Sequence, residues 1–313
     1  MVNNSTSPLD IRLWDIFSWI IFGIVSLIGI LGNGFIVVVN GHQWLQSKKM
    51  VPCDFLLTTL STSRFLVHLI LLVNSSALYF FLQSTRHIYI AELIYFPWTL
   101  SIMVSHWCAT WLSVFYCVKV TSFANPLFLW MKARINVLIP KLLGISIVIS
   151  MVLYLPLLVS LFGQKKDCNV TGTLLGNVSQ NDVCNNIFII LLPLDFFLSF
   201  INFCLSTISF ILLLTSLQKH RRNMKKSGVT DLSIQVHIKV MKSLLFCFFF
   251  YLLYFIAMII YTKNVIDNGT VDGMLINILL SLFPSVHSII LILTNPKLKE
   301  ISAHILNIRQ RPS

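Results

Sequence analysis

The sequence predicts an all-α membrane protein, a seven-transmembrane helix bundle with its N-terminus extracellular and its C-terminus cytoplasmic. Three observations predict it. Of 313 residues, 56% are apolar and only 11% charged, with a mean hydropathy of +0.83, a balance that no soluble domain of this length keeps in water. Seven apolar stretches each reach the length of roughly 20 helical residues that a hydrocarbon core demands. Finally, 17 of the 23 basic residues fall on one side of those stretches, and cytoplasmic loops are the ones that retain Lys and Arg during insertion.

The spans run over 15–40, 52–81, 91–118, 135–162, 186–216, 243–262 and 274–294. The tail 1–14 is polar and lacks the basic-then-apolar pattern of a cleaved signal peptide, so the first span is expected to act as its own insertion signal. Lys48 and Lys49 follow span 1, and Lys119, Lys132, Arg134 and Lys141 surround the connection from span 3 to span 4. Seven more basic residues lie between spans 5 and 6, and four lie in the tail 295–313. Residues 1–313 therefore read as a single membrane domain.

Two further signals agree with this orientation. Asn3, Asn4, Asn169, Asn177 and Asn268 begin Asn-X-Ser/Thr triplets, and all fall in segments that the charge pattern places outside, where glycosylation takes place. Among seven cysteines, only Cys168 and Cys184 fall in an oxidising compartment, in the connection between spans 4 and 5. They either bridge or remain free thiols. A bridge closing about 15 residues is worth about 3 kcal/mol in the chain-entropy description.

Several function classes are excluded. A net charge of +12 is spread over short inter-span loops, where anionic membrane lipid and cytosolic partners are the counter-charges, so no nucleic acid is expected. The chain has no HExxH, CxxC, GxSxG or GxxxxGK[ST], and neither an enzyme, a metal site nor a cofactor is expected. A transporter would show paired halves and several ionisable groups at the midplane, whereas the spans carry little beyond Arg64 and Asp195. A retinal Schiff base needs a Lys in the last span, and Met274–Thr294 has none.

Short motifs then appear in order. Span 1 ends in Gly32-Asn33-Gly34-Phe35-Ile36-Val37-Val38-Val39-Asn40, and span 2 holds Leu57-Thr58-Thr59-Leu60-Ser61-Thr62-Ser63-Arg64. Span 3 closes with Trp111-Leu112-Ser113-Val114-Phe115-Tyr116-Cys117-Val118-Lys119, followed by Asn125-Pro126-Leu127-Phe128-Leu129-Trp130-Met131-Lys132. Span 5 exits through Ser216-Leu217-Gln218-Lys219-His220, and span 6 enters through His237-Ile238-Lys239-Val240-Met241-Lys242-Ser243. Span 7 carries Pro284-Ser285-Val286-His287-Ser288 and ends before Asn295-Pro296-Lys297-Leu298-Lys299.

Taken together, the set resembles the type 2 bitter taste receptors, a branch of the G-protein-coupled receptors, over nearly the whole chain. The resemblance implies a small-molecule bitter agonist in the outer half of the bundle, a gustatory-type heterotrimeric G protein at the inner face, and a plasma-membrane location. A receptor dimer is left open. A vomeronasal-type pheromone receptor is the competing receptor reading, and it should lack the Phe-Tyr-x-x-Lys end of span 3. Two departures stand out: Ile102-Met103 where the family commonly has Asn-His, and Asn202 where it commonly has a proline.

Arg64 lies about 20 Å along span 2, near mid-bilayer, where an unpaired guanidinium costs several kcal/mol. In the fold that the resemblance implies, its expected partners are Asn33, Ser285 and Ser288, which makes it a structural lock rather than a ligand contact. Asp195 either attracts a cationic agonist or pairs with Lys263 or with water at the mouth. Trp98 offers an apolar face with one donor, for a ligand or as an interface anchor. Ile102, Met103, Tyr79, Tyr254 and Asn277 complete the expected pocket. Phe115, Tyr116, Lys119, His237, Lys239 and Lys242 are the expected G-protein contacts, and solvated charges beside an aromatic anchor are the plain alternative. In the tail, Leu298, Ile301, Ile305 and Ile308 recur at spacings of three and four, which suits a short helix on the inner leaflet.

Overall fold

The computed structural model describes residues 8–48, 50–81, 86–121, 126–170, 181–226, 245–260 and 273–305. They form α1 (Pro8–Ser47), α2 (Pro52–Phe81), α3 (Arg86–Val120), α4 (Pro126–Val170) and α5 (Asn181–Lys226). Next come α6 (Leu245–Ile260), α7 (Gly273–Thr294) and α8 (Pro296–Ile305). Six of these helices are long and apolar enough to cross a membrane, and α6 is a shorter apolar helix whose described part falls inside the sixth expected span.

The helix ends follow local chemistry. Pro52, Pro126 and Pro296 each open a helix, where the missing N–H would have no intrahelical acceptor and the fixed φ is already helical. Asn295 caps α8, its Oδ1 accepting from the backbone N–H of Lys297 at 3.1 Å and of Leu298 at 3.4 Å. Lys48, just past α1, has φ 51°, the left-handed conformation that commonly ends a helix.

Several helices overrun their spans. The α4 and α5 helices have 45 and 46 residues, about twice the length that a bilayer core of roughly 30 Å requires. Hydrophobic length fixes only the buried segment, and a helix once nucleated adds a hydrogen bond with each further residue in water. The segment expected as an open connection is shorter as a result. Cys168 and Asn169 fall in the last turn of α4 and Cys184 in the first turn of α5, although their side chains lie outside the described residues. Asn3, Asn4, Asn177, Asn268, His237, Lys239, Lys242 and Ile308 lie outside them altogether.

The centre of the bundle is α3, which packs on α2, α4 and α5, while α1 packs on α2 and α7. Leu56, Leu60, Cys108, Leu112, Ile135 and Ile139 belong to the buried apolar cluster there. Two stacked indoles on α3 reach α4: Trp107 Nε1–H donates to Ser150 Oγ at 2.9 Å, and Trp111 Nε1–H to Ser146 Oγ at 3.1 Å. Polar atoms thus point inward, while Leu31, Val38, Val137, Val148 and Val152 are exposed. An outer surface of this kind belongs in lipid.

Glycines bring α1 close to its neighbours. A Cβ built on Gly29 would lie 2.2 Å from His68 Nε2, and one on Gly32 would lie 2.4 Å from Ser288 Oγ. Only glycine at these two positions lets α1 settle against α2 and α7.

Candidate functional site: an inner cavity beneath a buried Arg and His core

One end of the bundle is fixed by contacts among helix termini. The Cys53 thiol at the start of α2 lies 3.4 Å from the Tyr116 hydroxyl at the end of α3. Lys132 Nζ on α4 donates to the carbonyl of Thr121 at 3.1 Å. Lys297 Nζ on α8 donates to Asn40 Oδ1 at 3.0 Å and also to Gln43 Oε1, both on α1. This is the α8 end.

A cavity of about 440 Å³ opens at that end. Its walls come from α2 (Leu57), α3 (Ala109, Ser113, Tyr116, Val120), α5 (Phe210, Leu213, Leu217), α6 (Cys247, Phe248, Tyr251) and α7 (Phe283, His287, Leu291), with Asn295 and Pro296 at its rim. Stacked rings join the α5 and α6 walls, with centroids 4.3 Å apart for Phe210 and Phe248 and 4.1 Å for Phe203 and Phe255.

A polar core lies deeper in the bundle. Arg64 is 2% exposed; its Nε–H donates to Ser105 Oγ at 3.2 Å, and its Nη1–H to His287 Nδ1 at 2.5 Å. The guanidinium carbon lies 5.1 Å from the centre of the Phe283 ring. On the α6 side, His106 Nε2 and the Tyr254 hydroxyl share a hydrogen bond of 2.8 Å. Towards α5, Thr110 Oγ1–H donates to Asn202 Oδ1 at 2.8 Å and accepts from Ser206 Oγ at 3.2 Å.

These contacts correct one expectation. Arg64 bonds across α2, α3 and α7 through Ser105 and His287, and not to the expected partners Asn33, Ser285 and Ser288. Asn33 Nδ2–H instead donates to the Gly29 carbonyl at 2.8 Å. The Ser285 hydroxyl lies 2.9 Å from the carbonyls of Val25 and Ser281 and 3.3 Å from His68 Nε2, and Ser288 donates to the Ser285 carbonyl at 2.8 Å. The two serines face α1, and the neighbouring His287, about 100° around α7 from Ser288, meets Arg64 of α2.

The other expected site residues divide by depth. Tyr116 lines the cavity and is 36% exposed, while Phe115 is 5% exposed and belongs to the core, beneath Lys119 Nζ at 5.3 Å from its ring. Trp98 and Ile102 are half-buried on α3, Met103 and Tyr254 are buried, and Asn277 on α7 is half-buried; none of the five lines the inner cavity. Tyr79 and Asp195 sit on α2 and α5, with side chains outside the described residues. Sequence reasoning passed over His106, Thr110 and Ser206 and read Asn202 only as a departure. Their signal was a polar side chain inside an apolar span, which must find a partner across the bundle.

Seven apolar helices with α3 at their centre, a short eighth helix and a cavity at one end form a helical bundle of the kind that multi-pass membrane proteins adopt. The chain matches the taste receptor protein (TAS2R) family over residues 11–310. It is 32% identical to taste receptor type 2 member 7 of Rattus norvegicus over 90% of this chain and 91% of that one. It is 31% identical to taste receptor type 2 member 134 of Rattus norvegicus, covering 94% and 87%, and 32% identical to member 7 of Gorilla gorilla gorilla, covering 89% of each. This chain belongs to the type 2 taste receptor family, which decides against the vomeronasal and transporter readings.

Proposed function

We propose that this protein is a bitter taste receptor of the plasma membrane, formed as a single domain over residues 1–313. A small agonist binds in the outer half of the bundle, and a gustatory-type heterotrimeric G protein engages the cavity at the α8 end. The observation that carries this reading is the cavity itself. It is walled by the ends of α3, α5, α6 and α7 and bordered by Tyr116, with Lys119 one turn further along α3.

Orientation is supported by charge. Lys48, Lys119, Lys132, Arg134, Lys297 and Lys299 gather at the α8 end, which supports reading it as the cytoplasmic face with the N-terminus outside. His237, Lys239 and Lys242 join the same contact surface from the entry to span 6. The basic residues of α8 rest on anionic inner-leaflet lipid. Asn3, Asn4, Asn169, Asn177 and Asn268 are the glycan acceptors, and Cys168 and Cys184 the candidate bridge over the mouth.

Trp98, Ile102, Met103, Asp195, Tyr79, Tyr254 and Asn277 supply the agonist pocket. Trp98 is two turns, about 12 Å, outward of His106 on α3, and the His106–Tyr254 bond connects that level to α6. The test is agonist-evoked calcium release in cells expressing a gustatory-type Gα subunit, screened against a chemically diverse bitter panel. Trp98→Ala is expected to raise the half-maximal agonist concentration at least about tenfold, the scale of a buried aromatic anchor, at unchanged surface expression. An unaltered dose-response curve would place the pocket elsewhere.

Tyr254→Phe probes the link between the two sites. It removes the hydroxyl bonded to His106 while keeping a ring against Phe283, centroid distance 5.7 Å. A net hydrogen bond is worth about 1 kcal/mol, and this one ties α6 to α3. Agonist-free signalling is expected to rise roughly fivefold as α6 is released. Basal signalling equal to wild type would mean that the tie persists in both states.

A further inference from the structure

We propose that the inner cavity binds a neutral, apolar, ring-bearing compound of drug size that reaches it by crossing the membrane, and that this compound shuts the G protein out. The second half rests on the reading of this cavity as the transducer's site.

Charge is the first selector. None of the described residues that line the cavity is an Asp, Glu, Lys or Arg. A charged ligand would give up its hydration for a wall that returns no counter-charge, a cost that apolar contacts do not offset.

Hydrogen bonding is the second. The polar side chains of the wall are already engaged within the protein. Ser113 donates to the Ala109 carbonyl at 3.0 Å, and Thr294 to the Ile290 carbonyl at 2.7 Å. Ser206 donates to Thr110 Oγ1 at 3.2 Å and shares a hydrogen bond with Tyr251. The Tyr116 hydroxyl meets the Cys53 thiol, His287 Nδ1 accepts from Arg64, and Asn295 Oδ1 accepts from two backbone N–H groups of α8. What is left facing the space is mainly carbon and the weakly polar Cys247 thiol. Water in such a space finds few partners, and replacing poorly held water by an apolar group gains affinity.

Shape is the third. A volume of about 440 Å³ lies within the range, roughly 300 to 1,000 Å³, of cavities that enclose drug-sized ligands. Aromatic rings stand on three sides, Phe210 on α5, Phe248 and Tyr251 on α6, and Phe283 on α7. Such rings favour an aromatic guest, which meets them edge-on or offset-stacked. Exclusion then follows from position. Tyr116, Val120 and Pro296 border the same space at the α8 end, so a guest and a segment of the G protein compete for it. Each weakens the other's binding by the same factor, and agonist bound in the outer half does not displace the inhibitor.

The probe is benzophenone, a neutral diaryl ketone. On irradiation its carbonyl oxygen takes the hydrogen of a nearby C–H group and its carbonyl carbon bonds to the carbon left behind, giving a tertiary alcohol on the labelled residue. The purified full chain in lipid nanodiscs, with no agonist or G protein, is irradiated over a range of probe concentrations, and labelled residues are mapped by peptide mass spectrometry. Leu213 and Leu291, on the cavity wall, should label saturably, whereas the exposed Val148 should label in proportion to probe. Ser113→Trp, which fills the cavity, should remove the saturable component; should that variant not fold, the wild-type comparison with Val148 still decides. At ten times its half-saturating concentration, benzophenone should weaken binding of added G protein about elevenfold. Labelling of Leu213 and Leu291 that never saturates, or that persists in Ser113→Trp, would overturn the ligand site and leave G-protein coupling untouched. Saturable labelling with undiminished G-protein binding would overturn the exclusion, and with it the assignment of this cavity to the transducer.

Discussion

Gly29→Val is expected to cut the receptor delivered to the cell surface roughly tenfold or more, the largest loss that any single surface-expression measurement on this chain should record. The reason is where the new atoms would have to go. A Cβ at Gly29 falls 2.2 Å from His68 Nε2, 2.5 Å from Cδ2 and 2.6 Å from Cε1, well inside van der Waals contact. The imidazole has nowhere to retreat, since His68 is fully buried and its Nε2 lies 3.3 Å from the Ser285 hydroxyl. Ser285 in turn sits 2.9 Å from the Val25 carbonyl on α1.

Relief therefore requires α1 to move off both neighbours, breaking contacts that in lipid rest on close packing and hydrogen bonds rather than on water exclusion. Overpacking costs about 1 to 3 kcal/mol, and about 1.4 kcal/mol is already a tenfold shift in an equilibrium. The control is Gly23→Val on the same helix, where nothing lies within 4 Å of the added Cβ and wild-type delivery is expected. Flow cytometry of an N-terminally tagged receptor at matched total expression makes the comparison. Equal surface levels for the two variants would mean that α1 is not held by this approach.

The same region shows which parts of the fold could be read from the residues and which could not. Span number was legible because crossing a membrane imposes a length on an apolar run, and helix starts were legible where Pro follows a loop, as at Asn295-Pro296. Rotation of a helix about its own axis was not. A soluble helix declares its inner face by its apolar stripe, whereas α3 and α7 carry apolar residues on every side because lipid accepts the outer face as readily as protein accepts the inner one. Arg64 could be recognised as needing partners, but choosing between Ser288 and the adjacent His287 requires knowing which way α7 is turned. Polar residues become the markers of the inner face instead. Thr110, Asn202 and Ser206 would have identified the α3–α5 seam had they been treated that way.

Placing an indole at Ser113 is expected to abolish agonist-evoked calcium release while leaving the receptor folded and at the surface. Ser113 lines the inner cavity from α3 and is half-buried, its hydroxyl donating to the Ala109 carbonyl of its own helix at 3.0 Å. No other described element bonds to that hydroxyl, so Ser113→Ala should signal normally. Ser113→Trp would instead push a large ring between the α5 wall at Leu213 and the α7 wall at Leu291, filling the space proposed above for the G protein.

A second readout separates blocked coupling from a damaged pocket. Coupling free energy is reciprocal, so a G protein that favours the active state must raise agonist affinity by the factor by which agonist favours G-protein binding, about 5- to 150-fold for a coupling of about 1 to 3 kcal/mol. In Ser113→Trp membranes, agonist binding should persist at its low-affinity value and stop responding to added G protein, whereas in wild type the added G protein should tighten it. Signalling by Ser113→Trp at wild-type strength would show that the G protein does not enter this cavity. Loss of low-affinity agonist binding as well would trace the defect to the outer half of the bundle, so only silence with retained binding assigns the inner cavity to the transducer.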